Sequence, residues 1–204
     1  MNWLSRLVVD HRLRTRVTGF FNQISDQIIF RNPTSNPLSP ATPINGNSAD
    51  IYGGEVGVEA LITSWLSGFA NYAYQEVGKS SGRSSERGFS HHKVNAGLRM
   101  TWHPLRGEVL YHHVGAASYP LSELFTNLAP FFPVGTIVPQ ERVSSYNLLN
   151  LRLGYVIWRQ QTGDNVREAE LAISVFNALN DTHREHPLGD LLGTRVMGWL
   201  TVKL

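Results

Sequence analysis

The sequence predicts an all-β protein: one domain over residues 1–204, folded as an antiparallel up-and-down meander of about eight long strands. Two observations lead to this fold class. Apolar and polar residues alternate along most of the chain, whereas the 3.6-residue period of a helix is almost absent. The connections between the alternating segments are short and long in turn, which is typical of neighbouring antiparallel strands joined at opposite ends.

The first three alternating segments lie in the N-terminal half of the chain. Arg12–Phe21 sets apolar side chains against three arginines, and Tyr52–Ile62 sets aliphatic side chains against two glutamates. Gly68–Val77 sets tyrosines against asparagine and glutamine. Each segment therefore predicts a strand with one apolar and one polar face. Residues 1–11 show no such regularity and are expected to be a poorly defined N-terminal stretch.

The remaining segments include the clearest and the weakest of the set. In Lys93–Trp102 every second residue from Val94 onward is apolar, and the residues between are polar or small. Glu108–Ser118 is the weakest, because His112 and His113 blur its two faces. The clear pattern returns in three later segments: Tyr146–Trp158, Glu168–Asn180 and Arg195–Leu204.

The connections differ in length in a regular way. Short ones fall at Thr63–Ser67, His103–Arg106 and Thr162–Arg167, and long ones at Arg31–Ala49, Gly78–Ser90 and Pro120–Ser145, with a smaller one at His183–Leu192. Strands of about ten residues, with short turns at one end and long loops at the other, match the signature of a transmembrane β-barrel. We therefore expect the apolar face to contact lipid.

In this interpretation the polar face lines an aqueous interior. The charged residues expected there are Arg12, Arg14, Arg16, Glu55, Glu59, Lys93, Arg99 and Arg152, followed by Glu168 and Glu170. Aromatic residues at or near strand ends are expected to form a belt at the membrane surface: Trp102, Tyr155, Trp158 and Trp199. A soluble barrel or sandwich, with the apolar face turned inward, is the alternative. Such a protein would carry charge over its outer faces, and it would have compact turns at both ends.

Composition excludes several function classes. The chain has no cysteine, so disulfides, thiolate metal sites and cysteine nucleophiles are absent, and the net charge of +2 does not indicate a nucleic-acid partner. There is no Gly-x-Ser-x-Gly elbow, and His183 has only Glu185 as an acidic neighbour. Adjacent histidines in a strand face opposite ways, and the His183–His186 spacing lies in a Pro- and Gly-containing loop. We expect no enzyme activity, metal site or cofactor.

Two uncharged stretches, 32–49 and 124–140, contain several prolines each and cannot be continuous membrane-spanning helices. The N-terminus lacks the apolar run and cleavage site of a signal peptide. We expect any export signal to lie outside this chain.

The C-terminal segments resemble a known family. The stretch Glu170–Asp190, which contains Val175-Phe-Asn-Ala-Leu-Asn-Asp181, leads into Arg195–Leu204 and resembles the closing hairpin of TonB-dependent outer-membrane receptors. Phe20–Ile28 resembles the family's FYNxIxDxI strand. Further similar segments are Tyr52–Glu59, Ala70–Tyr74 and His92–Leu98. One departure is Leu204, because such barrels usually end in an aromatic residue.

The resemblance implies that the chain is a C-terminal portion of a larger, plugged transmembrane β-barrel of about twenty-two strands. Such receptors lie in the bacterial outer membrane and take up small chelates, such as iron-siderophore or cobalamin-type ligands. They are coupled to an inner-membrane TonB complex through a TonB box and a plug, neither of which has a counterpart in this sequence. The implied partners are outer-membrane lipid, the plug, the N-terminal barrel strands and a small extracellular ligand. The alternative is a self-contained eight-stranded outer-membrane barrel with a structural or adhesive role.

The longest loop is also rich in aromatic residues. Its candidate ligand contacts on the extracellular side are Tyr119, Phe125, Phe131 and Phe132. An apolar loop of this kind is costly to expose to water. It therefore predicts either contact with an apolar or aromatic ligand, or packing against neighbouring loops or the plug.

Overall fold

A computed structural model of the chain describes residues 2–9, 12–31, 42–78, 89–119, 142–163, 165–187 and 189–203. The strands are β1 (Asn2–Val9), β2 (Leu13–Arg31), β3 (Thr42–Leu61), β4 (Leu66–Val77), β5 (His92–Trp102), β6 (Leu105–Val114), β7 (Ala117–Ser118), β8 (Arg142–Val143), β9 (Tyr146–Thr162), β10 (Asn165–Phe176) and β11 (Arg195–Lys203). Within these ranges, no helix has the length and apolar character needed to cross a bilayer.

Nine of the strands form a single antiparallel sheet in the order β1-β2-β3-β4-β5-β6-β9-β10-β11. Each strand pairs with the next long strand along the chain, and the two-residue strands β7 and β8 pair with each other in the connection between β6 and β9. This topology confirms the predicted all-β, up-and-down antiparallel meander. Strands β1 and β11 form the two edges of the sheet. The described strands therefore do not close on themselves, as a self-contained barrel would require.

The strand ends differ from the prediction in several places. Residues Asn2–Val9 form a strand, paired with β2. The pairing of β2 with β3 continues to Arg31 opposite Thr42, so this hairpin is much longer than the roughly nine to eleven residues that cross a membrane. β10 ends at Phe176 rather than at Asn180, because Asn177 adopts a positive φ of 52° that a strand cannot continue through.

Strand register sorts the side chains onto two faces. One row runs across Arg99, Glu108, Arg152 and Ser174, and we call the face that carries it the polar face. The neighbouring row runs across Leu98, Val109, Leu151 and Val175, on what we call the apolar face. The two faces alternate because successive side chains of a strand point to opposite sides of its sheet.

In a soluble protein the apolar face of a sheet is buried and the polar face is exposed, and in this sheet the reverse holds along β10. Along β10, Glu170, Ala172 and Ser174 on the polar face are buried, whereas Leu171 and Ile173 on the apolar face are each 51% exposed. Leu200 in β11 is 63% exposed. A soluble barrel or sandwich would bury these aliphatic side chains, so the soluble alternative does not fit the structure.

The polar face of the sheet as candidate functional site

All ten charged residues expected to line an interior lie on the polar face. Pairing connects them across the sheet. Arg14 lies opposite Glu59, Glu55 and Lys93 both lie opposite Ala73, and Arg99 shares a row with Arg152. Arg16 shares the face of Arg14 because it lies two residues further along β2. Arg12 lies in the turn before β2 and lines the same groove as Arg14. Glu168 and Glu170 belong to the same face of β10.

The most buried charges form a network of four side chains on β6, β9 and β10. Arg106 donates hydrogen bonds from Nη1 to Glu170 Oε2 at 2.6 Å and from Nη2 to Glu168 Oε1 at 2.8 Å. Arg152 Nη2 donates to Glu170 Oε1 at 2.7 Å. The Glu170 side chain is only 6% exposed, and both of its oxygens are paired. Charge-assisted hydrogen bonds of this kind are roughly twice as strong as neutral ones, so this network holds three strands together.

Arg106 was not among the residues predicted from the sequence. It fell in the predicted connection His103–Arg106, whereas β6 already begins at Leu105. The sequence does indicate its position, because Arg106 is separated from Glu108 and His112 by an even number of residues and so belongs to the same face of a strand. Extending the alternation toward the N-terminus would have placed Arg106 on the polar face.

Ion pairing is weaker toward β2. Arg99 Nη2 lies 2.8 Å from Glu108 Oε1. Arg14 Nη1 lies 3.4 Å from Glu59 Oε2, and these two side chains are 57% and 63% exposed. Within the part of the chain that the structure describes, no carboxylate pairs with Arg12 or Arg16. The polar face is therefore neutralised at β9 and β10 but carries excess positive charge at β2.

A groove lies on each of these two parts of the polar face. One, of about 420 Å³, crosses β2 to β5 and is lined by Arg12, Arg14, Glu59, Ala60, Leu61, Ser67, Gly68, Phe69, Asn71 and Arg99. A second, of about 350 Å³, lies near β11 and is lined in part by Arg152, Asn150 and the edge-to-face ring pair Phe176–Trp199. Trp199 thus lies on the polar face, opposite Ala172, and not in the aromatic belt predicted for it. It lies there because its parity in β11 is that of Thr201.

The apolar face carries aromatic residues at both ends. Trp65 and Trp102 approach with ring centroids 6.2 Å apart beside the short turns, and Tyr155 lies opposite Leu105 at the same end. At the end with the long connections, the Tyr72 hydroxyl and His92 Nδ1 lie 2.8 Å apart. Aromatic side chains at both edges of an outward aliphatic band are typical of transmembrane β-barrels.

Of the four loop aromatics expected to contact a ligand, the structure describes only Tyr119. Its hydroxyl donates to the Glu185 carbonyl at 2.8 Å, and its ring packs edge-on against His186 at a centroid distance of 4.8 Å. Tyr119 therefore packs against the loop that follows β10. The other three candidates, Phe125, Phe131 and Phe132, lie outside the described residues.

That loop is organised by a turn that begins at Asn177. The Asn177 side chain accepts from the Asp181 amide and donates to the Asp181 carbonyl, both at 3.0 Å. Thr194 Oγ1 donates to the Asn177 carbonyl at 2.7 Å, and Asp181 Oδ2 accepts from the Asn147 amide at 2.7 Å. The turn thus joins β9, β10 and β11 at the end with the long connections.

His183 follows this turn and is buried. Its ring stacks on Tyr146 at a centroid distance of 4.0 Å, and Nδ1 lies 2.7 Å from the Asp181 carbonyl oxygen. Among the described residues, no three His, Asp or Glu side chains are grouped so that they could hold a metal ion.

Solved structures share this fold at low sequence identity. The copper transporter OprC matches 98% of the chain with a TM-score of 0.64 and 15% identity. The pyoverdine outer membrane receptor FpvA from Pseudomonas aeruginosa PAO1 matches 98% with a TM-score of 0.67 and 14% identity. The iron transporter FrpB from Neisseria meningitidis matches 92% with a TM-score of 0.60 and 13% identity.

The match extends over 30%, 28% and 28% of these three proteins, so the chain spans less than a third of their length. No curated protein is detectably similar in sequence. The family model described as TonB dependent receptor-like, beta-barrel, matches residues 7–178, which include most of the sheet. Given this match and the two-faced antiparallel sheet, the chain belongs to the TonB-dependent receptor β-barrel family and has the fold of a segment of a larger transmembrane β-barrel.

Proposed function

We propose that this chain forms part of the wall of a bacterial outer-membrane receptor that takes up a small chelate, such as an iron-siderophore or cobalamin-type ligand. The polar face lines the aqueous interior, and the apolar face contacts lipid. The long connections face the outside of the cell and contact the ligand. Uptake requires a plug, the remaining barrel strands and energy supplied by an inner-membrane TonB complex.

The observation that carries this proposal is the burial pattern of the sheet. Its aliphatic face is exposed, whereas Glu168 and Glu170 on the opposite face are largely buried and paired with arginines. An apolar solvent on the first side and a polar interior on the second stabilise that arrangement. The aromatic residues at both ends of the apolar face mark the two membrane surfaces. The printed names of the similar structures support the transport role, because they describe a copper transporter, an iron transporter and a pyoverdine receptor.

The four loop aromatics remain the candidates for ligand contact. Tyr119 lies at the end of the sheet with the long connections, as this assignment requires, and its contacts with Glu185 and His186 are those of the alternative, packing against a neighbouring loop. An aromatic ring held by a neighbouring loop offers a planar surface to an aromatic or apolar part of a chelate. No catalytic role is proposed.

Cysteine labelling tests the assignment of the two faces. Because the chain has no cysteine, single substitutions give labels without background. Leu98→Cys and Arg99→Cys are a matched pair, since these neighbours in β5 lie on opposite faces. In outer membranes, a charged maleimide should modify Arg99→Cys and spare Leu98→Cys. A bimane label on Leu98→Cys should be quenched by brominated lipid. Equal aqueous reactivity of both cysteines would contradict the proposal.

Uptake is tested separately. Cells that express this chain joined to a plug and the remaining barrel strands should accumulate a radiolabelled ferric siderophore or cobalamin, and accumulation should stop when the inner-membrane proton gradient is dissipated. Accumulation that survives loss of the gradient would contradict TonB coupling, and failure to accumulate any chelate would contradict the receptor role.

A further inference from the structure

The apolar face differs in chemistry between its two ends. Beside the short turns it ends in Trp65, Trp102 and Tyr155, which together hold two N–H donors and a single hydroxyl. Beside the long connections it ends in a larger group of side chains with hydroxyl, amide, imidazole and carboxylate groups. We call this group the loop-end rim, and its members are Tyr52, Tyr72, Tyr74, Glu76, His92, Tyr111, His113 and Asn147. Contact with hydrocarbon alone does not require such a difference.

The loop-end rim lies on central strands of the sheet. Its residues belong to β3, β4, β5, β6 and β9, and each of these strands pairs with a described strand on both sides. Tyr52, Tyr72 and Tyr111 are 43%, 39% and 36% exposed. Because the apolar face points away from the polar face, the rim contacts what surrounds the sheet on its outer side.

Hydrogen bonds within the rim hold its side chains in defined orientations. The Tyr111 hydroxyl donates to Asn147 Oδ1 at 2.7 Å, and His113 Nδ1 donates to the same oxygen at 2.8 Å. This leaves the N–H donors of the Asn147 amide and the lone pair of His113 Nε2 for a neighbour. The Tyr72 and His92 rings lie within 24° of parallel. Side chains that are already ordered lose little entropy when they bind a partner.

The mixture of donors and acceptors indicates which headgroup fits. A phosphate only accepts hydrogen bonds and favours Lys or Arg, neither of which occurs in the rim, and an ammonium group only donates. The one carboxylate of the rim, that of Glu76, accepts from the Tyr74 hydroxyl at 2.6 Å and lies 3.5 Å from His91 Nδ1. A sugar hydroxyl both donates and accepts. The aromatic rings of the rim offer apolar surface to the C–H groups of a sugar ring.

We propose that the loop-end rim binds the sugar headgroup of a membrane glycolipid. Asn147 donates to a sugar hydroxyl, His113 Nε2 accepts from another, and the Tyr72 ring covers the C–H surface of the sugar. The inference rests on the proposed function, because a glycolipid reaches the rim only if the apolar face contacts lipid.

Bimane labels at the two ends of the apolar face test the proposal. Val94→Cys places the label between Tyr72 and His113, and Met100→Cys places it beside the short turns, opposite Leu66. The full chain is folded into phosphatidylcholine vesicles that contain digalactosyldiacylglycerol with brominated acyl chains, which quench bimane. Each value is normalised to quenching by brominated phosphatidylcholine. The glycolipid should then quench Val94→Cys about threefold more than Met100→Cys, which is the enrichment given by one weak net hydrogen bond.

Variants of the rim show whether its polar groups cause the enrichment. Asn147→Leu should abolish it, because this variant loses the amide donors and the oxygen that orients His113. Tyr111→Phe should reduce it, and Tyr155→Phe, at the other end of the apolar face, is the matched control and should leave it unchanged. If Asn147→Leu does not insert into the vesicles, Tyr111→Phe decides, and an unchanged enrichment in that variant overturns the proposal.

The outcomes separate this inference from the function on which it rests. If brominated phosphatidylcholine quenches both labels and the glycolipid shows no preference for Val94→Cys, the glycolipid site is wrong and the lipid contact stands. If brominated phosphatidylcholine quenches neither label, the apolar face does not contact lipid and the proposed function fails with it. If brominated phosphatidic acid is enriched at Val94→Cys and the glycolipid is not, the rim binds phosphate and the sugar assignment is wrong.

Discussion

Gly154 lies beneath the carboxylate of Glu170, so that a Cβ atom at Gly154 would collide with Glu170 Oε1. That oxygen accepts the hydrogen bond from Arg152, and the other oxygen of the carboxylate accepts from Arg106. The absent side chain therefore gives the carboxylate its room on the crowded polar face. Close approach of a neighbouring group is one of the reasons for glycine within a strand.

Gly154→Ala should destabilise the protein by about 2–4 kcal/mol, because the displaced Glu170 would lose its hydrogen bonds to two arginines while remaining buried. The measurement is urea unfolding in detergent. Gly19→Ala is the control, since a Cβ atom at Gly19 would meet nothing within 4 Å. The control should be neutral or slightly stabilising. Equal destabilisation of both variants would contradict the role assigned to Gly154.

The two classes of ion pair on the polar face should differ in strength. Arg106→Met removes one partner from each of Glu168 and Glu170, whose side chains are only 15% and 6% exposed. The free energy of unfolding should therefore fall by about 3–5 kcal/mol. Arg14→Met breaks only an exposed pair and should cost less than about 1 kcal/mol. The same unfolding assay compares them. Similar losses for the two variants would show that burial does not set the strength of these pairs.

Leu98 lies midway along β5 between Val94, which is opposite Tyr72, and Trp102, so the proposed membrane places it near the middle of the bilayer. Leu98→Arg should therefore lower the free energy of unfolding in lipid by about 2–4 kcal/mol, the range found for charges at the bilayer midplane of such barrels. Thr201→Arg, at an exposed position of the polar face opposite Glu170, is the control and should lower the free energy of unfolding by less than about 1 kcal/mol. Folding into lipid vesicles measures both, and a larger cost for the polar-face variant would contradict the assignment of the faces.

The alternation of side chains explains why the two faces could be predicted from the sequence. The pleat of a strand determines parity, so Arg14, Arg99 and Arg152 were assigned to one face without knowledge of which strands pair. The ends of the strands are harder to predict from the sequence, because pairing rather than alternation determines where a strand begins. Arg106 was missed for that reason.

Relationships across strands could not be predicted, because they depend on register. Nothing in the local sequence around Gly154 indicates that Glu170, sixteen residues later, lies over it. The register between β9 and β10 also shifts near Ala169 and Glu170, which no periodicity reveals. The groove of about 420 Å³ is likewise a product of pairing, since most of its lining comes from β2, β3, β4 and β5.

The turn at Asn177 combines a positive φ with two side-chain hydrogen bonds, and two substitutions separate these contributions. Asn177→Ala should destabilise the protein by about 2–3 kcal/mol, because alanine tolerates positive φ poorly and cannot replace the bonds to Asp181. Asn177→Gly keeps the backbone conformation and should lose only about 1–2 kcal/mol, the value of the hydrogen bonds. Urea unfolding gives both values. If Asn177→Gly lowers the free energy of unfolding as much as Asn177→Ala does, the φ angle contributes nothing to stability. If Asn177→Gly leaves that free energy unchanged, the hydrogen bonds to Asp181 do not stabilise the junction of β9, β10 and β11.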